Sequence, residues 1–283
     1  MAIPSISESN ELMKNLINKK EPFFISRLGG SIGTLTRNYK ANMQIPRSII
    51  ITSQTHDGIY CNNMNDLLKY ADMYADSIEN STYLACFTNI CNETQDYFIK
   101  KYSLKALHSR VLEPFYSILE NEQPWSHNLK GKKILVINPF TDSMKKQLDN
   151  NFQMFKDKKI FLDGQQFIFY KCFNSLANNR PHNDWYETYQ VMCNDIKDLD
   201  FDIALLGCGG YGLPLCNFIY TKMKKSAIYI GGGLQLLFGV MGQRWEINPM
   251  WKKIISENES KFIKPSGDEI INNNNMVENA CYW

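Results

Sequence analysis

The chain has 283 residues, 44% hydrophobic and 21% charged, with a formal net charge of +2; such a composition suits a globular protein with one large core or two modest ones. Basic residues form only short clusters such as Lys132-Lys133, Lys158-Lys159 and Lys224-Lys225, so there is no sustained phosphate-backbone footprint and nucleic acid is excluded as the main partner. Glu8, Glu11 and Lys14 interrupt the N-terminal segment, and no stretch approaches the length of an apolar span; neither a signal peptide nor a transmembrane segment is expected, and the expected location is cytoplasmic.

Ser7 to Asn18 has the spacing of a short amphipathic helix. Pro22 then introduces Phe23-Phe24-Ile25-Ser26, an apolar run read as a strand that ends at Arg27 and the turn Gly29-Gly30. His56-Asp57-Gly58 reads as a loop. From Asn65 to Tyr83 apolar residues recur at helical spacing, and Gln95 to Leu119 also reads as helix, so the N-terminal and middle portion is expected to be helix-rich. Ile134 to Ile137, four aliphatics between turn formers, predict a strand buried on both faces. Three further strands are predicted at Phe167 to Cys172, Phe201 to Leu206 and Ser226 to Ile230, with helices at Asp142 to Lys156, Trp185 to Leu199 and Pro214 to Lys224. This alternation predicts an α/β, Rossmann-like, mainly parallel sheet flanked by helices. One domain over residues 1–283 is expected, with a subdivision into 1–125 and 126–283 left open. Asn272 to Asn275 reads as a solvated loop.

In open parallel sheets ligands bind outside the carboxyl ends of the strands. That rule selects Arg27, Gly29, Gly30, Ser31, Asn138, Asn174, the Gly207 to Gly212 segment and the Gly231 to Gln235 segment. Gly207-x-Gly209-x-x-Gly212 follows a strand, opens a helix and has Pro214 in its first turn, as a phosphate-binding turn requires. A nicotinamide or flavin site also needs an acid about twenty residues further on, and Ile203 to Trp245 contains none. A nucleotide-sugar or sugar phosphate therefore fits better than NAD. The plain alternative is that these glycines serve tight strand–helix packing, and that Gly231-Gly232-Gly233 forms only a turn. Asp200-x-Asp202 has the letters of a metal-holding D-x-D, but it precedes its strand, at the wrong end of the sheet.

The eight cysteines form no C-x-x-C pair, the four histidines are dispersed, and no G-x-S-x-G elbow is present; neither a zinc site nor a serine hydrolase is supported. Asp57, His56 and Asp184 are the candidate general bases, chosen as polar residues in loops.

Several segments together resemble a family of uncharacterised sugar-transfer-associated proteins related to glycosyltransferases of the GT-D fold type. They are Phe24 to Gly29, Lys130 to Phe140, Phe201 to Gly207 with Tyr211 to Leu215, Ile230 to Gly239 with Gly242 to Trp245, and the terminal Cys281-Tyr282-Trp283. The resemblance runs from about Phe23 to the last residue. It implies a transferase with a Rossmann-like sheet, a nucleotide-sugar donor with a UDP-sugar as first choice, and a glycan or lipid-linked sugar acceptor. The family's R-x-G-D-x-E pattern, laid on Arg27-Leu28-Gly29, puts Gly30 and Ile32 where its metal-binding acids belong. A divalent metal is therefore not expected, and the leaving diphosphate would rest on Gly207, Gly209, Gly210, Tyr211, Gly212, Gly232, Gly233, Gln235, Arg27 and Arg244. A non-catalytic nucleotide- or sugar-phosphate-binding module stands as the alternative, and an NAD-dependent oxidoreductase as a third.

Overall fold

The computed structural model describes residues 3–283. Ser5 opens the first helix, α1 (Ile6–Lys19), with a capping box: its hydroxyl accepts from the Glu8 N–H and Glu8 accepts from the Ser5 N–H. The chain continues through β1 (Phe24–Arg27), α2 (Gly30–Lys40), α3 (Arg47–Thr55), α4 (Met64–Glu79), β2 (Tyr83–Cys86), α5 (Asn92–Tyr102), β3 (Ala106–His108) and α6 (Phe115–Leu119). The second half holds β4 (Lys133–Asn138), α7 (Thr141–Asp149), β5 (Gln166–Lys171), α8 (Trp185–Ile196), β6 (Ile203–Leu206), α9 (Gly212–Thr221) and β7 (Ser226–Tyr229). Three helices, α10 (Leu234–Leu237), α11 (Gln243–Glu246) and α12 (Pro249–Asn258), precede the C-terminal segment.

The seven strands form one parallel sheet in the order β3-β2-β1-β7-β6-β4-β5. This is the expected α/β, Rossmann-like architecture. Its register follows the pleat: Ile25, Ala85, Val136, Leu205 and Ile228 point into one core, while Phe24, Leu84, Leu135, Ala204 and Ala227 point into the other. Helices α1, α7 and α12 cover the first face with Met13, Met144 and Trp251, and α4, α8 and α9 cover the second with Tyr74, Met192 and Leu215. Both faces are dry, which is why the central strands are near-continuous apolar runs.

The expected helix from Asn65 to Tyr83 ends at Glu79, and Tyr83 begins β2. The expected helix from Gln95 to Leu119 breaks at Ser103, whose positive φ of 53° closes α5 before β3. The helix expected to reach Lys156 stops at Asp149, with Asn151 left-handed just beyond. Helices α2 and α3 are not expected from the pattern. Asp200 and Asp202 lie at the amino end of the sheet, where Asp202 accepts from the Lys133 N–H at 2.7 Å and Asp200 pairs with the Lys133 ammonium. They bracket β4 and β6 rather than face a ligand.

Candidate functional site

A cavity of about 590 Å³ lies outside the carboxyl ends of the strands, where a parallel sheet places ligands. The segments after β1, β2, β4, β5, β6 and β7 all reach it, joined by α3, the α3–α4 loop and the C-terminal segment.

Arg27, the last residue of β1, donates from Nη1 to the Ile230 carbonyl at 2.9 Å. Its guanidinium carbon lies 5.4 Å from the Phe87 ring centre and 6.0 Å from that of Tyr229, within cation–π range. It lies directly over Gly231, where φ is +79° and an added Cβ would come within 2.8 Å of Nη2. The glycine therefore serves both the turn and the arginine. Arg27 Nε is buried with no acceptor among the described residues, and no carboxylate comes within ion-pair distance of this cation there. Glu113 lies beneath Gly233: burial pushes its carboxyl up to about 7, against the pull of Arg27 and Arg110.

The β6–α9 turn is braced from several sides. The Gly207 carbonyl accepts from Asn138 Nδ2 at 2.8 Å, the Gly209 carbonyl accepts from the Tyr229 hydroxyl at 2.9 Å, and the Gly210 N–H donates to the Asp57 carbonyl at 2.9 Å. The N–H groups of Cys208 and Gly209 have no acceptor among the described residues. Gly207, Gly209 and Tyr211 line the cavity, but Gly210 and Gly212 do not. A Cβ on Gly210 would strike Ile59, and one on Gly212 would strike the Tyr229 ring. In the second glycine run, Gly232 lines the cavity while Gly233 packs on Glu113. The fingerprint letters thus divide between ligand-facing backbone and close packing.

Of the two carboxyls that line the cavity, Asp57 and Glu278, Asp57 is the more deeply buried. The Ser31 hydroxyl donates to it and the Ile32 N–H in the first turn of α2 favours its charged form, yet burial dominates and pushes its pKa up to about 6. A carboxylate from the α3–α4 loop therefore stands against the turn whose own residues, Gly30 and Ile32, carry none. Gly29 donates its N–H to the Tyr74 hydroxyl at 2.9 Å, and Gly30 faces open space. His56 lines the same cavity. Among the described residues there is no group of three or more His, Cys, Asp or Glu side chains that could hold a metal ion.

At the rim Gln235 donates from Nε2 to the Tyr282 carbonyl at 3.1 Å, and the Arg244 guanidinium sits 4.8 Å from the Tyr282 ring centre while pairing with Glu278. Asn174 also lines the cavity; its Oδ1 accepts from the Leu176 N–H, and its Nδ2 is buried with no acceptor among the described residues. Asp184 is elsewhere: it caps α8 by accepting from the Glu187 N–H at 2.8 Å and borders a separate hollow of about 420 Å³ with Tyr60, Cys61 and Trp185.

Sequence reasoning missed Phe87, Tyr229, Glu278 and Glu113. Phe87 follows a strand hidden behind a helical pattern, and Tyr229 reads only as strand interior. Glu278 follows an asparagine run that has the composition of a solvated loop. The strand-end rule would have found Phe87 once β2 was recognised; nothing local marks Glu278. No helix among the described residues is long and apolar enough to cross a membrane. No model of a known protein family matches the chain, and no curated protein matches it.

Proposed function

We propose that the protein is a cytoplasmic glycosyltransferase that moves a sugar from a nucleotide-sugar donor, a UDP-sugar by first choice, to a glycan or lipid-linked acceptor without a divalent metal. The observation that carries this reading is the cluster of donors lacking acceptors beyond the carboxyl ends of β1, β5 and β6: Arg27 Nε, Asn174 Nδ2 and the N–H groups of Cys208 and Gly209. The two buried side-chain donors among them, Arg27 Nε and Asn174 Nδ2, cost about 1–3 kcal/mol each when left without partners. A diphosphate or sugar oxygen would satisfy them, and electrostatic stabilisation of a leaving diphosphate by such preorganised groups is a large catalytic effect.

In this reading Asp57 takes the proton of the acceptor hydroxyl as its oxygen bonds to the anomeric carbon. The bond from that carbon to the diphosphate breaks, and its electron pair leaves with the diphosphate toward Arg27 and the β6–α9 turn. A carboxyl that titrates at about 6 is ionised at neutral pH and still basic enough to act. His56, in the same cavity, is the alternative base.

A binding module without turnover is the second reading, favoured because the Asp57 carboxylate is already engaged by the Ser31 hydroxyl in the first turn of α2. Thermal shift with UDP, GDP, dTDP, CMP and NAD, with and without manganese, tests the ligand class, since a ligand of the native state raises the melting temperature. Stabilisation by a nucleoside diphosphate followed by release of free sugar from its nucleotide-sugar supports the transferase; stabilisation without release supports the module. Stabilisation by NAD alone contradicts both. Arg27→Ala is expected to lower donor turnover by about 10²- to 10³-fold, the scale of a lost transition-state donor. Unchanged turnover removes Arg27 from the mechanism.

A further inference from the structure

The C-terminal segment bears on the same cavity in a way the glycine turns do not. Val277, Cys281 and Trp283 are buried at 2%, 3% and 6% exposure and fix this strap to the core. Backbone bonds tie it to α11: the Gln243 N–H donates to the Trp283 carbonyl at 2.9 Å and the Arg244 N–H to the Cys281 carbonyl at 3.1 Å. Between its anchors, Glu278, Asn279 and Ala280 have φ values of 46°, 56° and 60°. Three successive non-glycine residues in the left-handed region is a conformation that L-residues resist. At the head of this turn Glu278 pairs with Arg244, the one ion pair between cavity-lining residues among those described.

We propose that Glu278 is an internal anion that occupies Arg244 in the empty protein and yields it to the diphosphate of the ligand, releasing the strained turn as it leaves. This rests on the nucleotide-sugar reading. A carboxylate and a phosphate compete for the same guanidinium fork, and the phosphate brings more charge and more acceptor oxygens. The Glu278 side chain is 56% exposed, so its pair with Arg244 is weak enough to exchange. Arg244 keeps its place through its backbone bond and the Tyr282 ring, so the guanidinium remains when the carboxylate departs. The exchange makes Arg244 a second phosphate receptor and the strap a gate on donor entry.

Calorimetric titration of the wild-type chain, Glu278→Gln and Ala280→Gly with UDP and with inorganic pyrophosphate tests this. Glu278→Gln removes the competing charge and is expected to bind UDP three- to tenfold more tightly. Ala280→Gly relaxes the left-handed turn in the closed strap, so it is expected to melt at a higher temperature and to bind UDP several-fold more weakly. Wild-type binding with Glu278→Gln equal or weaker overturns the gate and leaves the nucleotide-sugar reading intact. No binding of either probe to any of the three proteins overturns both. Where circular dichroism finds Glu278→Gln unfolded, Ala280→Gly decides, and unchanged UDP affinity there overturns the gate.

Discussion

Asp57 couples stability to function through one proton. In the unfolded chain its carboxyl titrates near 3.8, and in the folded protein burial moves this to about 6. The folded state holds the proton more tightly, so the contribution is complete below pH 3.8 and is lost as pH rises through 6. That separation corresponds to about 3 kcal/mol. In urea titrations the stability of the wild-type chain relative to Asp57→Asn is therefore expected to fall by up to about 3 kcal/mol between pH 3.5 and pH 7.5. Turnover is expected to rise across the same interval because the base must be ionised. A pH-independent difference between the two proteins would rule out the buried titration. Gly231 is the second residue on which the site depends. Gly231→Ala forces a side chain into a left-handed position and against the Arg27 guanidinium, so it is expected to cost about 1–2 kcal/mol of stability. Its turnover is expected to fall toward that of Arg27→Ala, and a Gly231→Ala protein with full turnover would show that Arg27 need not sit where it does.

At the scale of elements, the glycine turns separate into backbone that faces the cavity and backbone that other elements press against. Gly212 begins α9 with helical angles, φ −58° and ψ −55°, so alanine there meets no conformational barrier; it meets the Tyr229 ring. Gly212→Ala is expected to lose about 1–3 kcal/mol through overpacking. Gly30, in the first turn of α2 with open space around it, is expected to gain about 0.5–1 kcal/mol as alanine. Chemical denaturation of the two variants checks the pair, and a Gly212→Ala protein as stable as the wild type would contradict the packing role. The letters of the run located the turn, but only the ring of Tyr229 and the side chain of Ile59 reveal which glycines face inward. Strands such as Ile134 to Ile137 are legible because dry packing on both faces demands an apolar run. The strands β2 and β3 are not, since Tyr83-Leu84-Ala85-Cys86 directly continues a helical apolar pattern and β3 has only three residues. Helix α3 buries Ser53 alone, so it has no apolar stripe to read.

At the scale of the molecule, the site exists only because the two halves of the chain share one sheet. Arg27 comes from β1 and Gly231 follows β7, strands far apart in sequence that pair in parallel at Phe24 with Ala227 and Ile25 with Ile228. The strand-end rule makes Arg27, Asn138, Gly207 and Gly232 legible in the sequence, since each ends or follows a strand. Glu278 and Glu113 enter by long-range packing that no local pattern encodes, and Asp184 is drawn away by the helix it caps. The same topology determines how the chain unfolds. Cutting between residues 125 and 126 would leave β1 and β7 as bare edges with Phe24, Ile25, Ala227 and Ile228, all fully buried in the intact protein, and exposed apolar edges aggregate. Tyr70 adds a polar tie across the cut, its buried hydroxyl donating to the Gly210 carbonyl at 2.9 Å. The intact chain is thus expected to unfold in one transition, coincident by circular dichroism and tryptophan fluorescence. The fragments 1–125 and 126–283, expressed separately, are expected to melt without cooperativity and to bind no UDP, with both properties returning on co-expression. A cooperative melt from 126–283 alone would mean that β7 can end the sheet, and that Arg27 is added to a site already formed.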